Sequence, residues 1–511
     1  MTATGTVVIG AGIGGMVAAL ELALAGEAVT VLEAEDRVGG KLRQIAVGEH
    51  RLDSGPTVFT MRWVFDALFA AAGSSLEEQL QPSALEVLAR HYWEDGSRLD
   101  LHADREHSAD AIGDFAGAAA AQQFLRFCRQ TQRMYSTLET PFLRSPRPST
   151  MGLSLKVLRQ SPAGLLHIHP FRRMAGALAR NFSDPRLRQL YGRYATYCGS
   201  SPYLAPATLM LIANVEQQGV WQLRGGMQSL ADALHRLALA QGVQFHLNSK
   251  VAAIDTHAGR VSGVRTEMGE LLPCEAVICN ADPAALRQGL LGDSARSALP
   301  AGAGERSLSA VTWGLACPTN GSDLAHHNVF FSPDYRQEFR ELLEQQRLPE
   351  APTVYVCAQD RGSVVPAPDQ AERLLCLVNA PARGDSRPFT DEEIAACATR
   401  TFQTLARCGL HLKSEMTQQT VTTPNDFARR FPGTGGALYG QASHGWRSSF
   451  SRPGARTRIP GLYLAGGGTH PGPGVPMAAL SGKLAAQSRL ADRASTARSR
   501  PTATAGGIST P

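Results

Sequence analysis

No run of 18 apolar residues occurs anywhere in the 511-residue chain, so no membrane-spanning helix is predicted. No two of the nine cysteines stand at C-x-x-C spacing, their number is odd, and most lie in apolar runs such as Val277-Ile278-Cys279. That pattern argues against a disulfide framework or a zinc ribbon and for reduced thiols on the cytoplasmic side; no metal site is expected. Basic charge is not packed into short runs, and 50 Lys and Arg against 45 Asp and Glu leave only +5, so no nucleic-acid footprint is present. The N-terminus has no basic n-region, and no secretory signal is expected. There is no internal repeat and no collagen-like period. With 43% hydrophobic and 19% charged residues the composition is that of a globular chain, long enough for about three domains.

What is present begins with the apolar run Thr6-Val7-Val8-Ile9, a buried-strand pattern. An Ala- and Leu-rich helical pattern follows from Gly12 to Ala25 and is capped by Gly26; a second apolar run, Ala28 to Leu32, closes at Glu33. In this β-α-β unit the segment Gly10-Ala11-Gly12-Ile13-Gly14-Gly15 fits G-x-G-x-x-G, and Glu33 lies 23 residues beyond Gly10. Gly10 allows the tight turn, Gly12 the approach of backbone to a pyrophosphate, and Gly15 close helix–sheet packing. The free N–H groups of the helix start favour phosphate, and Glu33 would accept hydrogen bonds from a ribose. A dinucleotide site is therefore predicted. Further on, 108–138 and 225–240 read as helices, Val251–Val264 as a hairpin, 334–347 as a charged helix, Leu462–Ala465 as a strand and 476–490 as a helix. The Ser-, Thr- and Ala-rich tail, 491–511, is expected to be disordered.

Directly after Glu33 comes Arg37-Val38-Gly39-Gly40-Lys41. Here the chain resembles the flavoprotein group of amine oxidases, protoporphyrinogen oxidases and carotenoid desaturases, which implies FAD, with Arg37, Gly39, Gly40 and Lys41 among its contacts. Asp53-Ser54-Gly55-Pro56-Thr57 resembles the segment beneath the flavin, which brings in Gly55, Pro56 and Thr57. The late stretch Ala465-Gly466-Gly467-Gly468-Thr469-His470-Pro471-Gly472-Pro473-Gly474-Val475-Pro476 closely resembles the C-terminal motif of bacterial carotenoid desaturases. It adds Gly466, Gly467, Gly468, Gly474, Val475 and Pro476 to the cofactor set, with a helix start that would stabilise negative charge on reduced flavin. Amine oxidases usually carry an acidic residue where this chain has Gly467. Gly219-Val220-Trp221, Arg224-Gly225-Gly226-Met227, Val251 at the adenine end and Asn280-Ala281-Asp282-Pro283 fit the same family.

Tyr197-Cys198-Gly199-Ser200-Ser201-Pro202 and Glu216-Gln217-Gln218 look most like the 1-hydroxycarotenoid 3,4-desaturases. The resemblance implies a C3–C4 double bond introduced into an acyclic carotenoid by hydride transfer to flavin, with electrons passing to an external acceptor such as oxygen or a quinone. A phytoene- or neurosporene-type desaturase, a flavin amine or porphyrinogen oxidase, and a redox-neutral isomerase or non-catalytic flavoprotein stand as alternatives. His470 is the leading candidate for proton acceptor, Trp221 is a second catalytic candidate, and Trp221, Tyr197 and Asp282 are candidates for the site wall. The expected fold is α/β: a discontinuous Rossmann-like FAD domain (1–85, 220–290, 455–490), a mixed-sheet substrate domain (86–105, 291–454) and a helical subdomain (106–219). Between Glu139 and Asp184 no acidic residue occurs, while basic residues such as Arg172, Arg173 and Arg180 alternate with apolar ones such as Leu165, Phe171, Met174 and Leu178. This stretch is expected to hold the protein peripherally on a membrane surface.

Overall fold

The computed structural model describes residues 5–145, 172–302, 304–362, 370–413, 418–446 and 448–499. Its organising element is a five-stranded, wholly parallel sheet. The chain enters through β1 (Thr6–Ile9), α1 (Ile13–Leu24) and β2 (Val29–Leu32). It returns through α2 (Gln228–Ala240), β3 (Gln244–His246) and β4 (Ala276–Cys279), and ends in β5 (Leu462–Leu464) and α3 (Val475–Ser499). The spatial order is β5-β4-β1-β2-β3, so segments far apart in sequence meet at the centre.

Every residue of β1, β4 and β5 is buried, as a parallel sheet covered on both faces requires. Alternation divides them between two cores. Val8 and Ile278 face α1, α2 and α3. Val7, Ile9, Val277 and Cys279 face a three-stranded meander made of Val251–His257, Arg260–Thr266 and Leu271–Pro273.

The last helix is longer than its sequence pattern suggested. It runs through the first part of the tail expected to be disordered, as far as Ser499. Polar contacts rather than apolar periodicity extend it. Arg489 Nε meets the buried Glu27 at 2.8 Å and Arg493 meets the same carboxylate at 3.1 Å. Asp492 pairs with Arg456 at 2.9 Å and accepts from the Tyr463 hydroxyl at 2.9 Å.

A second, seven-stranded sheet is mixed. Its order is Gln418–Thr422, Ser309–Cys317, Glu372–Ala380, Val354–Ala358, His327–Phe330, Val87–Tyr92 and Arg98–His102, antiparallel except where His327–Phe330 lies beside Val87–Tyr92. The single helix expected over 108–138 is two, Arg105–Ala116 and Ala118–Leu138, broken at Gly117. The short helices Met174–Asn181, Pro185–Gly192 and Leu211–Gln217 pack with them around stacked aromatics, Tyr191 lying 4.9 Å from Phe182 and 4.7 Å from Phe127. Met174 and Leu178 belong to this core and are fully buried. This corrects the expectation that they face lipid: their helix turns its apolar side inward and leaves Arg172, Arg173 and Arg180 exposed. Leu165, Phe171 and the rest of 146–171 lie outside the described residues.

Candidate functional site: a cavity between two glycine loops

The C-terminal ends of the parallel strands open into one cavity of about 1020 Å³, larger than the roughly 300–1,000 Å³ typical of a site for one small ligand. Gly10, Gly12 and Gly14 line it after β1. The residue capping α1 is Gly12, whose lack of a side chain leaves the first-turn N–H groups free of a side-chain cap. Gly15 is not in the wall. It lies behind the loop, where a Cβ would stand 2.1 Å from the Gly10 carbonyl oxygen, so its part is packing. Gly39 and Gly40 line the cavity beside them, with the Gly39 N–H donating to Ala11 at 2.9 Å.

Glu33 closes β2 at one end of the cavity. Its carboxylate accepts from the N–H groups of Ala11 at 2.6 Å and Glu35 at 3.0 Å. Burial raises its pKa, and those same hydrogen bonds work against the rise. Val251 lies in the same wall. Arg37, expected among the cofactor contacts, is exposed and not part of the wall. Lys41 does line the cavity, but its ammonium donates to the Leu438 carbonyl at 2.5 Å, 5.1 Å from the Phe431 ring. Burial lowers its pKa, Asp282 opposes and Arg452 adds to the lowering. Asp282 lines the cavity and also caps the following short helix through Ala284 N–H at 2.9 Å.

Gly466, Gly467, Gly468, Gly474, Val475 and Pro476 form the opposite wall, where α3 begins. Gly55, Pro56 and Thr57 run between the loops. Asp53 positions them. Its carboxylate accepts from Met227 N–H at 2.6 Å and Gln228 N–H at 3.3 Å, capping α2, which has no side-chain cap of its own. Gly226 makes that approach possible: φ is +80°, and a Cβ there would lie 2.0 Å from Asp53 Oδ2. The Arg-Gly-Gly-Met segment thus acts on the cofactor region through Asp53.

Beyond the loops the cavity wall becomes mostly apolar, with Leu138, Phe142, Leu209, Ile212, Val215, Leu375 and Leu377. Polar side chains interrupt it, among them a group formed by Arg193, Tyr197 and Glu216, joined by Tyr355. Tyr197 was a candidate from the sequence. Arg193 and Glu216 were not, because they come from a 3-10 turn and a separate helix and share no local spacing. A second unforeseen cluster, His326, His327 and Cys357, has its ligand atoms within 4.8 Å of one another. Both rings are already engaged through Nδ1, by Arg361 carbonyl and Tyr355 hydroxyl, each at 2.8 Å.

Neither residue expected to do chemistry reaches the cavity. Trp221 is paired by backbone with Phe59 and Ala84, and its ring folds back over Gly219. His470 points away behind the late loop, where Nε2 donates to the Phe142 carbonyl at 2.9 Å and the two rings meet edge to face at 4.8 Å. Burial pushes its pKa down to about 4. It fastens the loop, as a neutral ring.

A histidine held at about 4 when folded, against 6.5 when free, leaves the unfolded chain binding more protons between those values. Its cost is absent above about pH 6.5 and grows as pH falls towards 4. His470→Gln should therefore remove about 2 kcal/mol of the stability that the wild type loses between about pH 7 and 5, measured by urea unfolding of both proteins. Equal losses in both would show that the ring is not held neutral.

Two glycine loops, two helix starts facing one cavity and a carboxylate at the second strand end fit an extended dinucleotide such as FAD. The family model described as flavin containing amine oxidoreductase matches residues 13–488. A hydroxyneurosporene desaturase from Rubrivivax gelatinosus is 50% identical over 99% of this chain and 96% of its own length. Another from Rhodobacter capsulatus is 47% identical over 97% of this chain and 99% of its own. Among solved structures, cyclohexylamine oxidase from Brevibacterium oxydans shares the fold at 16% identity, with a TM-score of 0.57 covering 96% of this chain and 100% of that one. The chain belongs to the flavin-containing amine oxidoreductase family and, within it, to the hydroxyneurosporene desaturases.

Proposed function

We infer that this protein is an FAD-dependent desaturase of carotenoid biosynthesis that introduces the C3–C4 double bond of 1-hydroxy acyclic carotenoids such as 1-hydroxyneurosporene. Near full-length identity with hydroxyneurosporene desaturases supports the substrate class. The observation that carries the chemistry is that a single cavity contains both the glycine-loop walls and the apolar chamber. Cofactor and polyene then share one water-poor enclosure.

The 10–14, 39–40, 55–57, 466–468 and 474–476 segments would hold FAD, which when bound would supply a two-electron acceptor for hydride. The chain's own part is positioning. The hydrogen on C4, beside the polyene, would leave as hydride to the flavin, so that the developing cation is allylic and delocalised along the polyene; a C3 hydrogen would then be lost as a proton to solvent, forming the C3–C4 double bond. No strong nucleophile is needed, so orientation and exclusion of water carry most of the rate. The α3 start beside Gly474 and Val475 would stabilise negative charge on a reduced flavin bound there. The electrons then pass to an external acceptor.

A C40 hydrocarbon resides in the bilayer. Among the described residues no helix is long and apolar enough to cross one. We propose that substrate enters from a membrane surface bound peripherally. Arg172, Arg173 and Arg180 support this: they are exposed, and cations near anionic headgroups add about 1 kcal/mol each.

Purified holoprotein offered 1-hydroxyneurosporene, neurosporene and phytoene in liposomes should convert the hydroxylated substrate most readily, with a red-shifted pigment and a mass lower by two hydrogens. No product from any of the three would defeat the assignment. In flotation assays the wild type should rise with anionic vesicles, and the Arg172→Gln, Arg173→Gln, Phe171→Ala variant should rise much less. Unchanged flotation would rule out this membrane contact.

A further inference from the structure

A chamber for a hydrocarbon should be apolar throughout, yet this one carries a buried guanidinium and a buried carboxylate. Arg193 is 6% exposed and Glu216 3%. The Tyr197 hydroxyl donates to Glu216 Oε1 at 2.9 Å, and the Tyr194 hydroxyl donates to Oε2. Arg193 donates to the Tyr197 oxygen at 3.0 Å and stacks 5.0 Å over that ring. Among the described residues this is the only hydrogen bond of the guanidinium, and its Nε has no partner. The Tyr335 hydroxyl, on another lining residue, also has none. Donor capacity is therefore left over beside a carboxylate that still has free lone pairs.

We propose that Arg193, Glu216 and Tyr335 form the subsite that binds the tertiary C1 hydroxyl of the substrate and so select hydroxylated carotenoids over hydrocarbons. This rests on the desaturase reading above. A hydroxyl is donor and acceptor at once: it gives its hydrogen to the Glu216 carboxylate and accepts from the Arg193 guanidinium or the Tyr335 hydroxyl. A methyl terminus in the same place can do neither and leaves the spare hydrogen-bonding capacity of Arg193 and Glu216 unmet and out of water.

The placement agrees with the chemistry. C1 is only two carbons from C3, so the group that holds the oxygen has to sit beside the hydride acceptor rather than at a distant end of the chamber. Tyr355 makes that connection. Its hydroxyl lies 2.6 Å from Thr57 Oγ1, in the segment between the glycine loops. Tyr355 also lies close enough to Arg193 and Tyr197 for their charges to act on it, with Arg193 opposing the rise in its pKa that burial causes. Tyr335, too, feels the Arg193 charge.

The test compares kcat/KM of the FAD-loaded protein for 1-hydroxyneurosporene and for neurosporene. Removing both charges together, in Arg193→Met/Glu216→Leu, avoids stranding one of them. The ratio of the two kcat/KM values should fall on the order of 100-fold, through the hydroxylated substrate, while neurosporene turnover does not fall with it and flavin content per chain is kept. Tyr335→Phe removes a hydroxyl that makes no hydrogen bond among the described residues, so it decides the matter if the double variant fails to fold. It should lower the ratio several-fold, mainly through KM. Equal loss on both substrates in flavin-replete variants, or an unchanged ratio in both, would overturn the subsite. A wild type that converts neither substrate would instead defeat the desaturase reading itself.

Discussion

One side-chain amide sets the spacing on which the cofactor region depends. Asn280, at the end of β4, donates to the Gly10 carbonyl at 3.3 Å. A Cβ at Gly12, Gly14 or Gly466 would lie 2.7–2.8 Å from its amide atoms. The first glycine loop and the late one therefore close on the same group from two sides, and neither tolerates a side chain there. Because β1, β4 and β5 are adjacent and parallel, both loops leave the sheet at the same end. The cavity follows from this: two helix starts and a strand-end carboxylate surround a space that no protein side chain fills.

The same constraint explains why distant segments act on the site indirectly. Asp53 caps α2 and, through its backbone, exchanges two hydrogen bonds with the Gln359 amide at 3.0 and 2.8 Å. The segment between the loops is thus tied to the parallel-sheet layer on one side and the mixed sheet on the other. His470 does similar work for the late loop, anchoring it to the end of the long helical layer at Phe142. The buried Arg193–Glu216 group is of another kind. Removing two charges from water makes such a group weak evidence for stability, and its position in a mostly apolar part of the wall is the ground for proposing it as a selectivity element.

Much of the fold was legible because the decisive signals are local. Gly10 to Gly15 between an apolar run and a helical pattern, Glu33 after the second run, and the Gly466–Pro476 stretch are each complete within a few residues. What lay beyond reach depended on direction and on contacts between separate elements. His470 and Trp221 stand in informative sequence neighbourhoods, but the backbone sends their side chains behind the wall rather than into it. Arg37 follows the glycine motif closely and still faces solvent. Arg193 carries no local mark, and Glu216 stands in a family-like segment that does not say what it does, since burial and proximity create their chemistry. The extension of α3 to Ser499 was hidden for the same reason: a polar sequence looks like a tail until its partners Glu27, Arg456 and Tyr463 are placed beside it.

In the proposed reaction a hydroxylated polyene bound in this cavity delivers two electrons to FAD held between the glycine loops. The most direct measurement is anaerobic mixing of FAD-loaded protein with 1-hydroxyneurosporene, with no other acceptor present, while the oxidised-flavin absorption and the pigment spectrum are followed together. The account predicts a single turnover in which the flavin band bleaches in step with the gain of one conjugated double bond. Product formed without bleaching, or an unreduced flavin with the carotenoid unchanged, would contradict it.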